Sequence, residues 1–218
     1  MNKIIYFVRH AQSVGNASEV HQGAAGGLSP KGVLQAELLA QRLRNIGGID
    51  TIIASTHMRT QETAAPIARE LGLPILSSPF LIERCHPSSL VDVHILDPEA
   101  LRVRALVQEK FTGKERHSDE EGFPELHARA MAALDEILAL PGNGTVVVTH
   151  GAFLSFMAAT MIYGKRLTPE AVDAFQTRFD NASLSYFEYR HRRTWTEPSV
   201  LGWIMVKLND TAHLASVV

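Results

Sequence analysis

Three short apolar runs each end in reactive polar residues, and stretches with helical periodicity separate them. Residues 4–8 lead into Arg9-His10, residues 51–54 into Ser55, and residues 145–149 into His150-Gly151. Short runs rich in Val, Ile and Thr read as buried strands. Strands that alternate with helices call for a mostly parallel sheet covered on both faces. The expected fold class is α/β: a three-layer sandwich with a mostly parallel central sheet, helices on both faces and an antiparallel edge strand.

The intervening segments supply the helices. Ser29-Pro30 is a helix start, with Ser as cap and Pro in the first turn. Leu39, Leu43 and Ile46 follow at helical spacing, and Gly47-Gly48 stops the helix. Residues 58–71 repeat the pattern, with Gly72 as the stop; Pro66 predicts a kink or a late start. Residues 74–76 suit a third short strand, 77–97 an irregular stretch and 98–110 a helix. Residues 112–119 read as a polar loop. Ser118 and Glu121 have capping-box spacing before a long helix reaching about Leu140. Pro141-Gly142-Asn143-Gly144 is a turn. An apolar helix should follow His150-Gly151 to about Ile162. Residues 183–189 and 200–208 read as an antiparallel hairpin at a sheet edge. The expectation is one domain over residues 1–218, with about 77–125 forming a loop-rich and helical cap at the site mouth.

Composition narrows the partners. The 218 residues are 45% apolar and 20% charged, an ordinary globular mixture. A chain of this length buries roughly 70% of its unfolded surface, so it folds without disulfide or metal. Its 21 basic and 23 acidic residues leave a net charge of -2. That gives no global drive toward nucleic acid or an anionic membrane, so anion specificity must come from a local cluster. The single cysteine, Cys85, excludes an internal disulfide and fits a reducing compartment. The first apolar stretch is too short for a signal segment, and no run approaches the ~18 residues of a membrane span. A cytoplasmic protein is expected, with neither nucleic acid nor membrane as partner and a homodimer as one possible assembly.

Ligands in open α/β sheets sit at the carboxyl ends of the strands. If the three strands are parallel neighbours, Arg9, His10, Ser55, Arg59 and His150 converge there. Two guanidinium groups suit phosphate oxygens, and helix N-termini near Arg59 and after His150 add partial positive charge. A neutral histidine could attack phosphorus while another donates to a nonbridging oxygen. An Arg-His pair after one strand is commonplace, and it is the joint placement that makes a site. The pattern alone leaves a phosphatase and other anion sites both open.

The motifs resemble those of the histidine phosphatase superfamily, which includes the cofactor-dependent phosphoglycerate mutases. The matching pieces are Val8-Arg9-His10-Ala11-Gln12-Ser13 with Asn16; Leu28-Ser29-Pro30-Lys31-Gly32; Ile53-Ala54-Ser55-Thr56-His57-Met58-Arg59-Thr60-Gln61-Glu62-Thr63-Ala64; Val147-Val148-Thr149-His150-Gly151; Asn181-Ala182-Ser183-Leu184; and Asn209-Asp210-Thr211-Ala212-His213-Leu214. They span most of the chain in the family's order. The resemblance implies His10 as a transiently phosphorylated nucleophile. Arg9, Arg59 and His150 complete a phosphate pocket, with Asn16, Gln22 and Gly151 on the substrate side. Glu83 falls where the family supplies a general acid, and Asp92 and Asp97 are alternatives. No metal or other cofactor is implied.

His10 among positive groups should have a depressed pKa and stay neutral near pH 7. Glu83 must be protonated as the leaving group departs, which calls for a raised pKa or a low pH optimum. The chain departs from the family at Ala11, where glycine is usual, at Gly26-Gly27, where an Asp is often found, and at Arg84-Cys85-His86-Pro87-Ser88-Ser89, which replaces a Gly-Trp-Glu-Gly-like stretch. These leave the core chemistry intact and the substrate open.

The expected activity is metal-independent hydrolysis of a phosphate monoester, with a small molecule as partner and a phosphoprotein also open. A phosphomutase is the alternative, although mutases of the family tend to be longer. A non-catalytic phospho-ligand or protein-binding member is the rival class, and a metal-dependent hydrolase is more distant. Specificity is expected in residues 11–28, 83–97 and 111–125, with Arg84, His86 and His117 as possible anion contacts. Cys85 lacks the arginine six residues on that a cysteine phosphatase loop requires, since Val91 stands there. His86 and His94 are a weak metal pair. Arg190-His191-Arg192-Arg193 reads as a solvated hairpin loop, and Trp195 and Trp203 as packing around the final hairpin.

Overall fold

The computed structural model describes residues 2–111, 115–175, 177–194 and 199–217. Strands β1 (Lys3–Arg9), β2 (Thr51–Ser55), β3 (Ile75–Ser78), β4 (Gly144–Thr149), β5 (Leu184–Arg192) and β6 (Val200–Asp210) form one sheet. Their order is β3-β2-β4-β1-β5-β6. The first four are mutually parallel, while β5 runs antiparallel to β1 and β6 antiparallel to β5. The expected mixed α/β sandwich is thus present, with the expected antiparallel hairpin, β5 and β6, at its edge.

The apolar runs explain the layering. Successive side chains of a strand face opposite sides, so a run without polar alternation needs cover on both. Tyr6, Val8, Ile52, Ala54, Val146 and Val148 pack against helices α2 (Pro30–Ile46) and α3 (Met58–Leu71). A short helix α1 (Val14–Ala17) precedes them, and α4 (Pro98–Phe111) follows β3. On the other face Ile5, Phe7, Ile53 and Val147 meet α5 (Phe123–Ala139) and α6 (Gly151–Tyr163), with α7 (Pro169–Ala174) beyond. Leu90 and the α4 residues Ala100, Val103 and Val107 make a separate small core.

Helix ends follow local chemistry. Ser29 Oγ accepts the Gly32 N–H at 3.0 Å, and Gly47 closes α2 at φ 69°. Helix α3 starts at Met58 and continues through Pro66, so the expected late start is not found. Burial of Ala64, Pro66 and Ile67 offsets the hydrogen bond that the proline cannot make. The long helix begins at Phe123, later than Ser118 would place it. Glu121 pairs with Arg129, Ser118 bonds Glu120 instead, and Pro124 occupies the first turn.

The basic run is also corrected. Arg190, His191 and Arg192 lie within β5 opposite Gly202, Leu201 and Val200, so the strand extends past the expected turn. Trp203 packs 5.2 Å from Tyr189 and 6.5 Å from Phe7, while Trp195 lies outside the described residues. No helix among the described residues is long and apolar enough to cross a membrane.

Candidate active site

Because β2, β4 and β1 are parallel neighbours, their carboxyl ends share one edge. The backbone ties them there: the His10 N–H donates to Thr149 O at 2.9 Å, and the Ala182 N–H is shared between Arg9 O and His10 O. The His150 ring lies 5.2 Å from the His10 ring and 4.9 Å from that of His57. A cleft of about 640 Å³ opens over this edge, lined by Arg9, His10, Asn16, Gln22, Arg59 and Glu83 among others.

The hydrogen bonds of His10 fix its tautomer. Its Nδ1 lies 2.8 Å from Ala11 O. A carbonyl only accepts, so Nδ1 carries the proton and Nε2 keeps its lone pair. Burial, then the charges of Arg59 and Arg9, hold the ring's pKa well below the usual histidine value. His10 is therefore a neutral imidazole set among cations.

The described hydrogen bonds of those cations go to carbonyls rather than to carboxylates. Arg59 Nη1 donates to Gly23 O at 2.9 Å and Arg9 Nη1 to Phe179 O at 2.6 Å. Arg9 Nε is buried without a partner among the described residues. Burial lowers the pKa of both guanidinium groups; Glu83 opposes that shift in both, and Asp180 also opposes it for Arg9. Buried cations with carbonyl partners only are costly, and an anion between them relieves the cost. Gly151 sits beneath Arg9: a Cβ there would lie 3.0 Å from Arg9 Nε.

His150 is fully buried behind the cleft. Its Nε2 lies 2.9 Å from Ser55 Oγ, which also accepts the His57 N–H at 3.3 Å. Ser55 can then give its own proton to Nε2. That leaves the proton of His150 on Nδ1, which has no protein partner among the described residues. Burial first, then neighbouring positive groups, holds His150 neutral as well.

The remaining expected residues divide. Asn16 completes a capping box with Ser13, and its Oδ1 also accepts Asn181 Nδ2 at 2.9 Å. Gln22 lines the cleft between Gly15 and Gly26, where any Cβ would collide with its side chain. Its Oε1 is buried and has no partner among the described residues. Glu83 reaches the start of α6, where its Oε1 accepts the Phe153 N–H at 2.8 Å and the Arg84 N–H at 2.9 Å. Its Oε2 accepts a longer 3.3 Å bond from the Ala152 N–H. Asp92 and Asp97 do not line the cleft, and Asp97 caps α4 through the Glu99 and Ala100 N–H groups.

Some lining residues carried no expectation. His57 lines the cleft, and burial and then Arg59 push its pKa down to about 4. Its place two residues after Ser55, at the N-cap of α3, was the available signal. Asn181 and Arg178 come from the chain before β5, and Asn181 Nδ2 also donates to His10 O at 3.1 Å. Of the segments expected to set specificity, 11–28 and 83–97 line the cleft, whereas 111–125 does not. Arg84 and His86 line it and His117 does not. Burial pushes the Cys85 thiol up, away from the thiolate form that attacks. Among the described residues no three His, Cys, Asp or Glu side chains form a metal-ligand set.

The chain resembles known proteins over nearly its whole length. The profile of the histidine phosphatase superfamily (branch 1) matches residues 5–199. A probable phosphoglycerate mutase, GpmB, of Yersinia enterocolitica is 35% identical over 215 residues, covering 96% of this chain and 94% of the relative. The solved mycobacterial glucosyl-3-phosphoglycerate phosphatase superposes with a TM-score of 0.75 at 21% identity, covering 97% of this chain and 100% of the other. The phosphoserine phosphatase of Entamoeba histolytica gives 0.74 at 20% identity, with 97% and 99% covered. Both structures share the fold.

Proposed function

Because the chain belongs to the histidine phosphatase superfamily, we propose that it hydrolyses a phosphate monoester through a phosphohistidine on His10. The observation that carries this reading is a neutral imidazole, with a free Nε2 lone pair, beside two guanidinium groups whose hydrogen bonds among the described residues go to carbonyls.

The substrate phosphate lies between Arg9 and Arg59, which neutralise its charge and spread the charge of the transition state. His150 Nδ1–H donates to a nonbridging oxygen. Asn16 and Gln22 supply further polar contacts, while Gly151 leaves Arg9 its space. The His10 Nε2 lone pair forms the N–P bond as the ester P–O bond breaks. Glu83, protonated on Oε2, gives that proton to the leaving oxygen. Water then attacks phosphorus and its proton passes to Glu83. The N–P bond breaks, which restores neutral His10 and releases inorganic phosphate. No step in this path calls for a metal. The segment over 84–95 walls the cleft around the alcohol portion, and we read it as part of a cap.

The named relative favours a second reading, a phosphomutase, in which a hydroxyl group replaces water in the second step. A cleft of about 640 Å³ leaves room beside a small ester for water, as hydrolysis requires, and equally for a second hydroxyl group. The test is phosphate release from a panel of monoesters with chelator present and no diphosphorylated compound added. Release that disappears in His10→Ala supports hydrolysis. Phosphate exchange between hydroxyl compounds without release supports the mutase.

A further inference from the structure

Arg129 on α5 spends every N–H donor of its guanidinium around Glu83. Its Nη1 donates to Phe80 O at 2.9 Å and Ile82 O at 2.8 Å. Its Nη2 donates to Glu83 O at 3.3 Å and Glu121 Oε2 at 2.6 Å, and its Nε to Glu121 Oε1 at 2.7 Å. Five donors meet five acceptors. The face of the group lies 4.1 Å from the centre of the Phe153 ring. Phe153 is also the residue whose N–H holds the Glu83 carboxylate.

Glu121 extends the grip to the other side of Glu83. Its N–H donates to Cys85 O at 2.9 Å, and its Oε2 accepts the Cys85 N–H at 3.4 Å. The backbone is thus held at residues 80, 82, 83 and 85 by one ion pair. The side chains of that pair are only 12% and 11% exposed. An ion pair this desolvated is weak evidence for stability, since apolar residues of similar volume often do as well. What apolar residues cannot do is hold four backbone positions in register.

We infer that the Arg129–Glu121 pair positions the Glu83 carboxylate for proton transfer to the leaving oxygen. Arg129 and Glu121 are positioning residues, because they act through Glu83 and do not line the cleft. The inference rests on the reading of Glu83 as the general acid. Misplacing a general acid by about 1 Å costs as much as a hundredfold in rate. The loss falls on substrates that need the acid, because a good leaving group departs without protonation.

The test compares kcat/KM for an alkyl phosphate and for an aryl phosphate with an acidic phenol, in wild type, Arg129→Met, Arg129→Lys, Glu121→Gln and Glu83→Gln. The readout is the alkyl-to-aryl ratio, which a misfolded fraction leaves unchanged. Arg129→Met and Glu121→Gln should lower it about 10- to 100-fold, toward the value for Glu83→Gln. Arg129→Lys, with charge but no fork, should fall between. Glu121→Gln keeps the shape of the side chain and carries the test if Arg129→Met does not fold. A ratio lowered by Glu83→Gln but wild-type in Glu121→Gln and Arg129→Lys overturns the positioning role. A ratio unchanged in Glu83→Gln overturns the acid itself.

Discussion

Ser55 and His150 meet across the sheet, with Oγ and Nε2 2.9 Å apart, and the contact joins the ends of two neighbouring strands. Both residues are fully buried, so the bond is shielded from water. It decides which nitrogen of His150 carries a proton, and the proposed reaction uses that proton to bind phosphate. Ser55→Ala removes that control and leaves two buried polar groups without a partner. We expect a stability loss of ~1–3 kcal/mol and a fall in kcat/KM of about tenfold or more. Urea unfolding and steady-state kinetics check both.

Arg59 should cost the empty protein stability and give it affinity. Arg59→Met removes a buried charge whose described hydrogen bond is to a carbonyl. The variant should unfold at a higher temperature than wild type without ligand, and phosphate should no longer raise that temperature. Thermal scans with and without millimolar phosphate decide it. A variant that is less stable and still stabilised by phosphate contradicts the assignment.

The space beneath Arg9 is equally specific. Gly151→Ala places a methyl 3.0 Å from Arg9 Nε. The guanidinium must give way, which misaligns it against phosphate. Inhibition by inorganic phosphate should weaken about 3- to 10-fold while the unfolding temperature changes little. Inhibition constants for wild type and variant provide the comparison.

The histidines set the pH dependence. His10, His57 and His150 all have pKa values below that of the unfolded chain, with burial the largest cause in each. Below about pH 6.5 the unfolded chain takes up protons that the folded chain refuses. Stability is therefore full above that pH and falls as pH drops, by about 1.4 kcal/mol per unit for each fully buried histidine. Activity follows the same shift. Because His10 stays neutral, its acid limb in kcat/KM should lie well below 6.5. A limb at 6.5 would show an ordinary histidine.

The sequence carried the sheet because its strands are apolar runs with both faces buried, and three of them end in the residues that line or back the cleft. Helix α2 was legible to the residue, since Ser29, Pro30 and Gly47 each act locally. The start of α5 was not, because Glu121 answers to Arg129 eight residues on rather than to Ser118. His57 and Asn181 were quoted within motifs, yet their approach to His150 and His10 depends on the β2–β4 and β1–β5 pairings. The Arg129 brace was invisible for the same reason: it joins α5 to a loop more than forty residues earlier, and nothing local in either segment announces the contact.

The central claim is a covalent bond between phosphorus and His10. The most direct test is a rapid alkaline quench of wild-type protein turning over a substrate labelled in its phosphate, followed by peptide mapping. The account predicts acid-labile label on the peptide carrying His10, appearing within the first turnover and absent from His10→Ala, which also releases no phosphate. Steady phosphate release by His10→Ala, or label on another residue, would contradict it.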